Sequence, residues 1–202
     1  MPQPETFEIV EGFTPTQRGA AAALFWQAFG DKLRPVMRPE AKALAVLTAI
    51  ADPTHAISAV TPDGTLLGIA GFKTSTGAFM GGDLKALQAV YGWAGGLWRG
   101  LLLSLLDRPL PPDTLLMDGI MVAPAARGQG VGTALLCAIK AKAAASGCAR
   151  VKLDVIDSNP RARALYEREG FIAQRTTGTG PLRFLFGFRK STEMTCAAGQ
   201  PG

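Results

Sequence analysis

The stretch VAPAARGQGVGTALL, residues 122–136, sets Gly128, Gly130 and Gly132 behind Arg127 and runs directly into apolar residues at helical spacing. Glycine has no Cβ, so backbone built from it can approach a ligand closely and adopt dihedrals that other residues avoid. At a helix start the first N–H groups lack intrahelical partners and the dipole end is positive, which makes an anion site. The ligand expected there carries phosphate. A Walker loop would need lysine and then serine or threonine after its last glycine, but Gly132 is followed by Thr133 and Ala134. A dinucleotide fingerprint starting at Gly128 would need its third glycine where Thr133 stands. What fits is R-x-x-G-x-G, from Arg127 through Gly130 to Gly132.

Working outward, residues 114–122 (TLLMDGIMV) read as the strand before this loop, and the helix after it ends at Gly147. Residues 150–156 (RVKLDVI) are the next strand. Upstream, residues 7–10 form a first strand, and Thr14, Pro15 and Gln17 give a capped helix start. Ala21, Leu24, Phe25, Ala28 and Phe29 follow at helical spacing, with Gly30 expected to end that helix. Pro39 and Glu40 open a second helix with an apolar face of Leu44, Leu47 and Ile50. Residues 55–72 read as strand, tight turn and strand. Residues 84–106 are apolar and broken by glycines, predicting one interrupted helix or two. Downstream, Asn159 and Pro160 cap a short helix that closes at Gly170. Residues 171–176 and 183–189 are expected as the last two strands, and 191–202 as a flexible tail. No repeat or long linker divides the chain, so residues 1–190 are expected to form one α/β domain.

The 202 residues are 48% hydrophobic and 18% charged, which excludes disorder for most of the length. Cys137, Cys148 and Cys196 are odd in number and lack zinc-ligand spacing, so neither a disulfide framework nor a metal site is expected. That fits a reducing, cytoplasmic compartment. The first ten residues lack the basic and apolar regions of a signal peptide. A net charge of +5 is compatible with a polyanionic ligand or a merely solvated surface. No helix-turn-helix, RNP or zinc pattern supports a nucleic-acid partner. Residues 89–106 approach transmembrane length, but they contain Arg99 and lie between strands expected to share a sheet. The readings that remain for them are buried helix, pocket wall, subunit interface in a homodimer, or membrane-surface contact.

The glycine loop has a companion downstream. NPRARALYEREGF fits N-x-x-A-x-x-L-Y-E-x-x-G-F through Asn159, Ala162, Leu165, Tyr166, Glu167, Gly170 and Phe171. With both motifs in order, the sequence resembles the GCN5-related N-acetyltransferase (GNAT) family over nearly its whole length. The resemblance is least specific across residues 79–112, which carry extra apolar helix. It implies an α/β fold with a mixed central sheet of about seven strands, splayed between the fourth and fifth and flanked by helices. It also implies an acetyl-CoA-dependent N-acetyltransferase, in which a primary amine attacks the thioester directly in a ternary complex. The same fold could instead bind acyl-CoA without turnover, as a sensor.

The resemblance also suggests roles. Ile120, Met121 and Val122 would offer backbone groups to pantetheine and the thioester, with Val122 N–H stabilising the oxyanion. Arg127, Gly128, Gln129, Gly130, Val131, Gly132 and Thr133 would hold the pyrophosphate. Asn159 and Ala162 would lie beside the pantetheine arm, Asn159 doubling as a helix cap. Tyr166 stands where the family's proton donor to the leaving thiolate is found; a packing tyrosine is the other reading. The acceptor ammonium must lose a proton, and Asp118 is the candidate base. With Leu116 and Ile120 it is expected on one strand face, and a strand-end carboxylate paired with a basic residue is the alternative. His55, the one histidine, reads as a surface or capping residue. Acceptor specificity is expected from residues 30–38, 79–106 and 176–181, where Lys32, Arg34, Arg38, Tyr91, Trp93 and Trp98 lie. The acceptor itself stays open.

Overall fold

The first helix is fixed by its own residues: the Thr14 N–H donates to Gln17 Oε1 at 2.8 Å, completing the capping box. The structure, a computed structural model, describes residues 6–105, 109–180, 183 and 187–199. Helix α1, Arg18–Met37, does not stop at Gly30 as expected but carries it and Pro35 inside. An interior glycine costs about 1 kcal/mol. Burial of Leu33, Val36 and Met37 against Ala43, Val46 and Leu47 of helix α2, Glu40–Ile50, outweighs that cost. The anticipated loop at 30–38 is therefore almost entirely helix.

One sheet organises the rest. Strand β1 (Glu8–Glu11) is followed by β2 (Ala56–Val60), β3 (Leu66–Thr74) and the two-residue β4 (Gly77–Ala78). Then come β5 (Thr114–Val122), β6 (Arg150–Ile156), β7 (Ile172–Gly178) and β8 (Lys190–Ala197). Seven strands run in the order β1-β2-β3-β5-β6-β8-β7, with β4 beside β3. Only β5 and β6 are parallel, joined by helix α5 (Val131–Ala145). Their pairing stops after Leu116↔Lys152, so the upper halves of both strands diverge. This is the splay the family resemblance implied, between the fourth and fifth strands of the path.

The tail expectation was wrong. Residues 190–197 form β8, wedged between β6 and β7, with Met194 and Cys196 buried. The physical reason is alternation: Thr192, Met194 and Cys196 face inward while Ser191, Glu193 and Thr195 lie more exposed. Threonine and serine in that pattern read as a polar tail until the strand has neighbours. The strand expected at 183–189 does not form where it is described: Arg183 is helical and Gly187 to Arg189 bend. Residues 181, 182, 184–186 and 200–202 lie outside the described residues.

Helix α5 and helix α6 (Pro160–Arg168) cover one face of the sheet, burying Leu135, Leu136 and Ile139 against Leu115, Met117 and Leu153. On the other face, α1 packs Ala21 and Leu24 against Ile69 and Met121, and α2 closes a further cluster beyond it. Helices α3 (Leu84–Tyr91) and α4 (Trp93–Ser104) sit on that helical layer, separated by Gly92 at φ +78°. The expected interrupted helix is thus two helices, and none in the described residues is long and apolar enough to cross a membrane.

Candidate functional site

Gly68 of β3 is where the site begins. A Cβ there would lie 3.0 Å from Val131 Cγ1 and 3.2 Å from Leu135 Cδ1, so its absence lets the first turn of α5 settle onto the sheet. Gly130 is the N-cap of α5 and has no side chain to cap it, leaving the N–H groups of Val131, Gly132 and Thr133 directed out of the helix end. Gly128 and Gly130 hold φ at +80° and +83°, and nothing lies within 4 Å of where either Cβ would be. Val131, 1% exposed, anchors the turn, and the Arg127 guanidinium Nε donates to the Val122 carbonyl at 3.3 Å. Gln129 Nε2 donates to the Ala125 carbonyl at 2.9 Å. An open, positive helix end framed by one arginine suits a phosphate group.

The loop lies at the open end of the split. The Ala123 N–H donates to the Leu67 carbonyl at 2.8 Å, and Val122 is registered against Gly68. An antiparallel ladder alternates the side to which successive residues turn their polar groups. Met121 therefore gives its N–H and C=O to Ile69 on β3, whereas Ile120 and Val122 turn theirs toward the gap that β6 has left. This removes Met121 as a backbone donor to a ligand, contrary to the sequence expectation. Ile120 and Val122 keep that capacity.

Helix α6 borders the same end. Asn159 Oδ1 accepts the Ala162 N–H at 3.1 Å, so its cap role is realised. A Cβ on Gly132 would lie 3.1 Å from Leu165 Cδ2, which sets the first turn of α5 against the side of α6. Tyr166, on the next position of α6, is 6% exposed and packs its ring 5.8 Å from Phe171. Burial pushes its phenol up to about 12.

The family model for the acetyltransferase (GNAT) family matches residues 20–171. The chain belongs to that family. Its fold is similar to a GCN5-related N-acetyltransferase from Kribbella flavida, at TM-score 0.62 and 20% identity over 96% of this chain and 99% of that one. An N-acetyltransferase from Staphylococcus aureus Mu50 matches at 0.62 and 16%, over 94% and 100%. A phosphinothricin acetyltransferase from Sinorhizobium meliloti, in complex with AcCoA, matches at 0.59 and 15%, over 99% and 94%.

Within this GNAT acetyltransferase, Asp118 is placed differently from expectation. Gly71 pairs with Gly119 and Phe72 with Met117, so Asp118 is the extra residue of a β-bulge. The bulge shifts the side-chain alternation by one residue. Leu115 and Met117 before it, and Ile120 and Val122 after it, all pack toward α5. Leu116 and Ile120 thus lie on opposite faces, and the single face proposed for Leu116, Asp118 and Ile120 does not exist. Asp118 itself is half-buried and engaged in an interaction with its surroundings.

Sequence reasoning missed the paired glycines beside that bulge. A Cβ on Gly119 would lie 2.5 Å from Phe29 Cζ, and one on Gly71 would collide with the Phe79 ring. The Phe25 ring lies tilted at 4.8 Å from that of Phe29 and edge-on at 6.1 Å from that of Phe79. The Lys32 ammonium sits 5.4 Å from the Phe29 ring and 5.1 Å from that of Phe188, so helix α1 and the approach to β8 meet there. An aromatic run Phe25/Phe29 one turn apart was visible, but its glycine shelf needed the β3–β5 register. Trp93 and Trp98, expected among acceptor residues, are 72% and 42% exposed on α4. Tyr91 instead donates its hydroxyl to the Met37 carbonyl and ties α3 to the end of α1. His55 is buried, not at the surface: its Nδ1 lies 3.0 Å from Asp52 Oδ2 and its Nε2 3.1 Å from Thr74 Oγ1. Among the described residues no group of three or more His, Cys, Asp and Glu could hold a metal ion.

Proposed function

We propose that the chain is an N-acetyltransferase that moves the acetyl group of acetyl-CoA to a primary amine by direct attack in a ternary complex. The observation that carries this reading is the convergence of two features at one end of the sheet. The N–H groups of Ile120 and Val122, turned away from β3 and beyond the paired part of β5 and β6, face the split, and the uncapped first turn of α5 opens beside it. Acetyl-CoA, when bound, supplies a thioester carbonyl and a thiol leaving group. The residues fit it: Gly128 to Thr133 and Arg127 offer amides and positive charge to the pyrophosphate, and the split accepts an extended arm between Val122 and α6.

Val122 N–H is assigned to hydrogen-bond the carbonyl oxygen as negative charge develops there, a contribution of about 3 kcal/mol where water is excluded. Tyr166 is assigned to the sulfur. Its phenol, at about 12, lies above the roughly 8.5 of a free thiol. It therefore acts as a hydrogen-bond donor that steadies the sulfur as charge grows there, keeping its own proton, while the departing thiolate, the weaker base, is protonated from solvent. Asp118, re-aimed by the bulge, is assigned to draw the proton from the acceptor ammonium, directly or through water. Reaction in the cytoplasm is the setting this chemistry suits.

Thiol release from acetyl-CoA, followed across a panel of small amines, amino acids, aminoglycosides and peptides, tests the reading. Amine-dependent release with the matching acetylated product is the expected result. Tight acetyl-CoA binding with no release above hydrolysis for any amine would identify a sensor of the same fold. Sedimentation with duplex DNA should show no salt-dependent binding.

A further inference from the structure

Helix α4 presents a row of large apolar side chains to solvent. Trp93, Leu97 and Leu101, continued by Leu105 just past its end, recur every fourth residue and are 72%, 46%, 69% and 54% exposed. Trp98 and Leu84 flank the row. These are six of the eight large hydrophobic side chains left exposed among the described residues, the other two being Ile9 and Ile172. Scattered exposed apolar residues need no explanation, but a contiguous stripe does.

The orientation of the stripe is enforced from behind. A Cβ on Gly96 would lie 2.6 Å from the Gln88 backbone nitrogen, and one on Gly100 would lie 3.1 Å from Leu84 Cδ1. Glycine at these positions seats α4 flush on α3, so Trp98, Leu101 and Leu105, on the far side of the helix, have to look outward. The one charged residue of α4 is drawn aside as well. The Arg99 guanidinium stacks 4.0 Å from the Tyr91 ring and 4.2 Å from that of Trp98, and donates to the Gly95 carbonyl at 3.0 Å.

We infer that α4 is the contact face of a two-fold symmetric homodimer. An isologous interface requires a self-complementary patch, and a ridge repeating every four residues interdigitates with its own copy across a two-fold axis. The exposed parts of the six side chains come to roughly 650 Å² per chain, taking aromatic side chains at the upper end of their range. Two copies would hide about 1,300 Å², within the range of specific stable interfaces. Two tryptophans in the row match the residue type that anchors such contacts. A helix lying on a membrane would instead carry a lysine- and arginine-rich flank. Here Lys85 on α3 and the stacked Arg99 are the basic residues of the α3–α4 pair. The stripe belongs to the helical layer over α1 and α2, whereas the glycine loop starts α5 on the other face of the sheet. Pairing therefore leaves the loop and the split accessible.

Light scattering coupled to gel filtration, at micromolar protein, tests this. Wild type should run with the mass of two chains and Leu101→Glu with the mass of one. Leu101 is exposed in the single chain, so the variant should keep its circular dichroism and bind acetyl-CoA within twofold of wild type. Ile172→Glu, equally exposed but off the stripe, should remain a dimer. A wild type of one-chain mass, or a Leu101→Glu protein of unchanged two-chain mass, overturns the inference. So does a monomer that floats with phosphatidylserine–phosphatidylcholine vesicles unless Leu101 is replaced, which would make the stripe a membrane contact.

Discussion

Tyr166 holds its proton more tightly in the folded protein than a free tyrosine does, because burial disfavours the phenolate. The folded value of about 12 stands above an unfolded value near 10. The stability this represents is intact below about pH 10 and is lost as pH rises toward 12. Turnover should accordingly show no alkaline limb from Tyr166 below about pH 10. Tyr166→Phe removes one oxygen and little volume. It should lower kcat roughly 10²-fold while the acetyl-CoA Kd stays within twofold; a kcat within a factor of two of wild type would make Tyr166 a packing residue. Gly130 offers a different test. Gly130→Asp forces a left-handed dihedral on an L side chain and sets a carboxylate where phosphate belongs, so calorimetry should show binding weakened at least tenfold. Gly119→Ala should act on stability instead. Its methyl would meet Phe29, an overpacking that costs about 1–3 kcal/mol and lowers the midpoint of urea unfolding.

At the scale of elements, short-range polar bonds place the pieces that flank the core. Asp52 caps the turn Pro53–His55 by accepting from the Thr54 N–H at 2.9 Å, and also meets the Thr54 hydroxyl and the His55 ring. Its partial burial works to raise the carboxyl, but the bonds from Thr54 and His55 outweigh this and hold it below its ordinary value. Stability from this group is present above the unfolded carboxylate value near 3.9 and lost as pH falls below it. Asp52→Ala should cost about 1 kcal/mol at neutral pH, as other cap removals do, and this difference from wild type should shrink in acid unfolding scans below about pH 4. Asn159→Ala should cost a similar amount by freeing the Ala162 N–H, with Asn159→Asp restoring most of it. Such a cap is legible because donor and acceptor lie three residues apart. The bulge at Asp118 is not, since it exists only in the register against β3.

For the molecule as a whole, the sheet is continuous except where β5 and β6 part, so a ligand entering that gap binds the folded chain and not the unfolded one. At acetyl-CoA a hundredfold above Kd the fold should gain about 2.7 kcal/mol, a rise in Tm of roughly 5–10 °C for a chain this size. The same addition to Gly130→Asp, with binding tenfold weaker, should give only about 1.4 kcal/mol and roughly half the rise in Tm, and an undiminished shift there would remove the loop from the binding site.

The sequence by itself determined the parts whose cause is local. The loop from Arg127 to Gly132 reads as an anion site because helix-end amides and missing Cβ atoms are properties of a few consecutive residues. The Asn159 cap and the order of strands and helices as far as β7, apart from the two-residue β4, were legible for the same reason. Tertiary structure alone decided what depends on a neighbouring chain segment. Met121 loses its polar groups to Ile69, Asp118 becomes the extra residue of a bulge, and Gly30 stays helical because α2 packs beside it. Residues 190–197 are a strand because β6 and β7 stand on either side to take their hydrogen bonds. A strand's partner, and with it the direction of every amide and side chain along that strand, is set by residues far away in sequence, and no local pattern contains it.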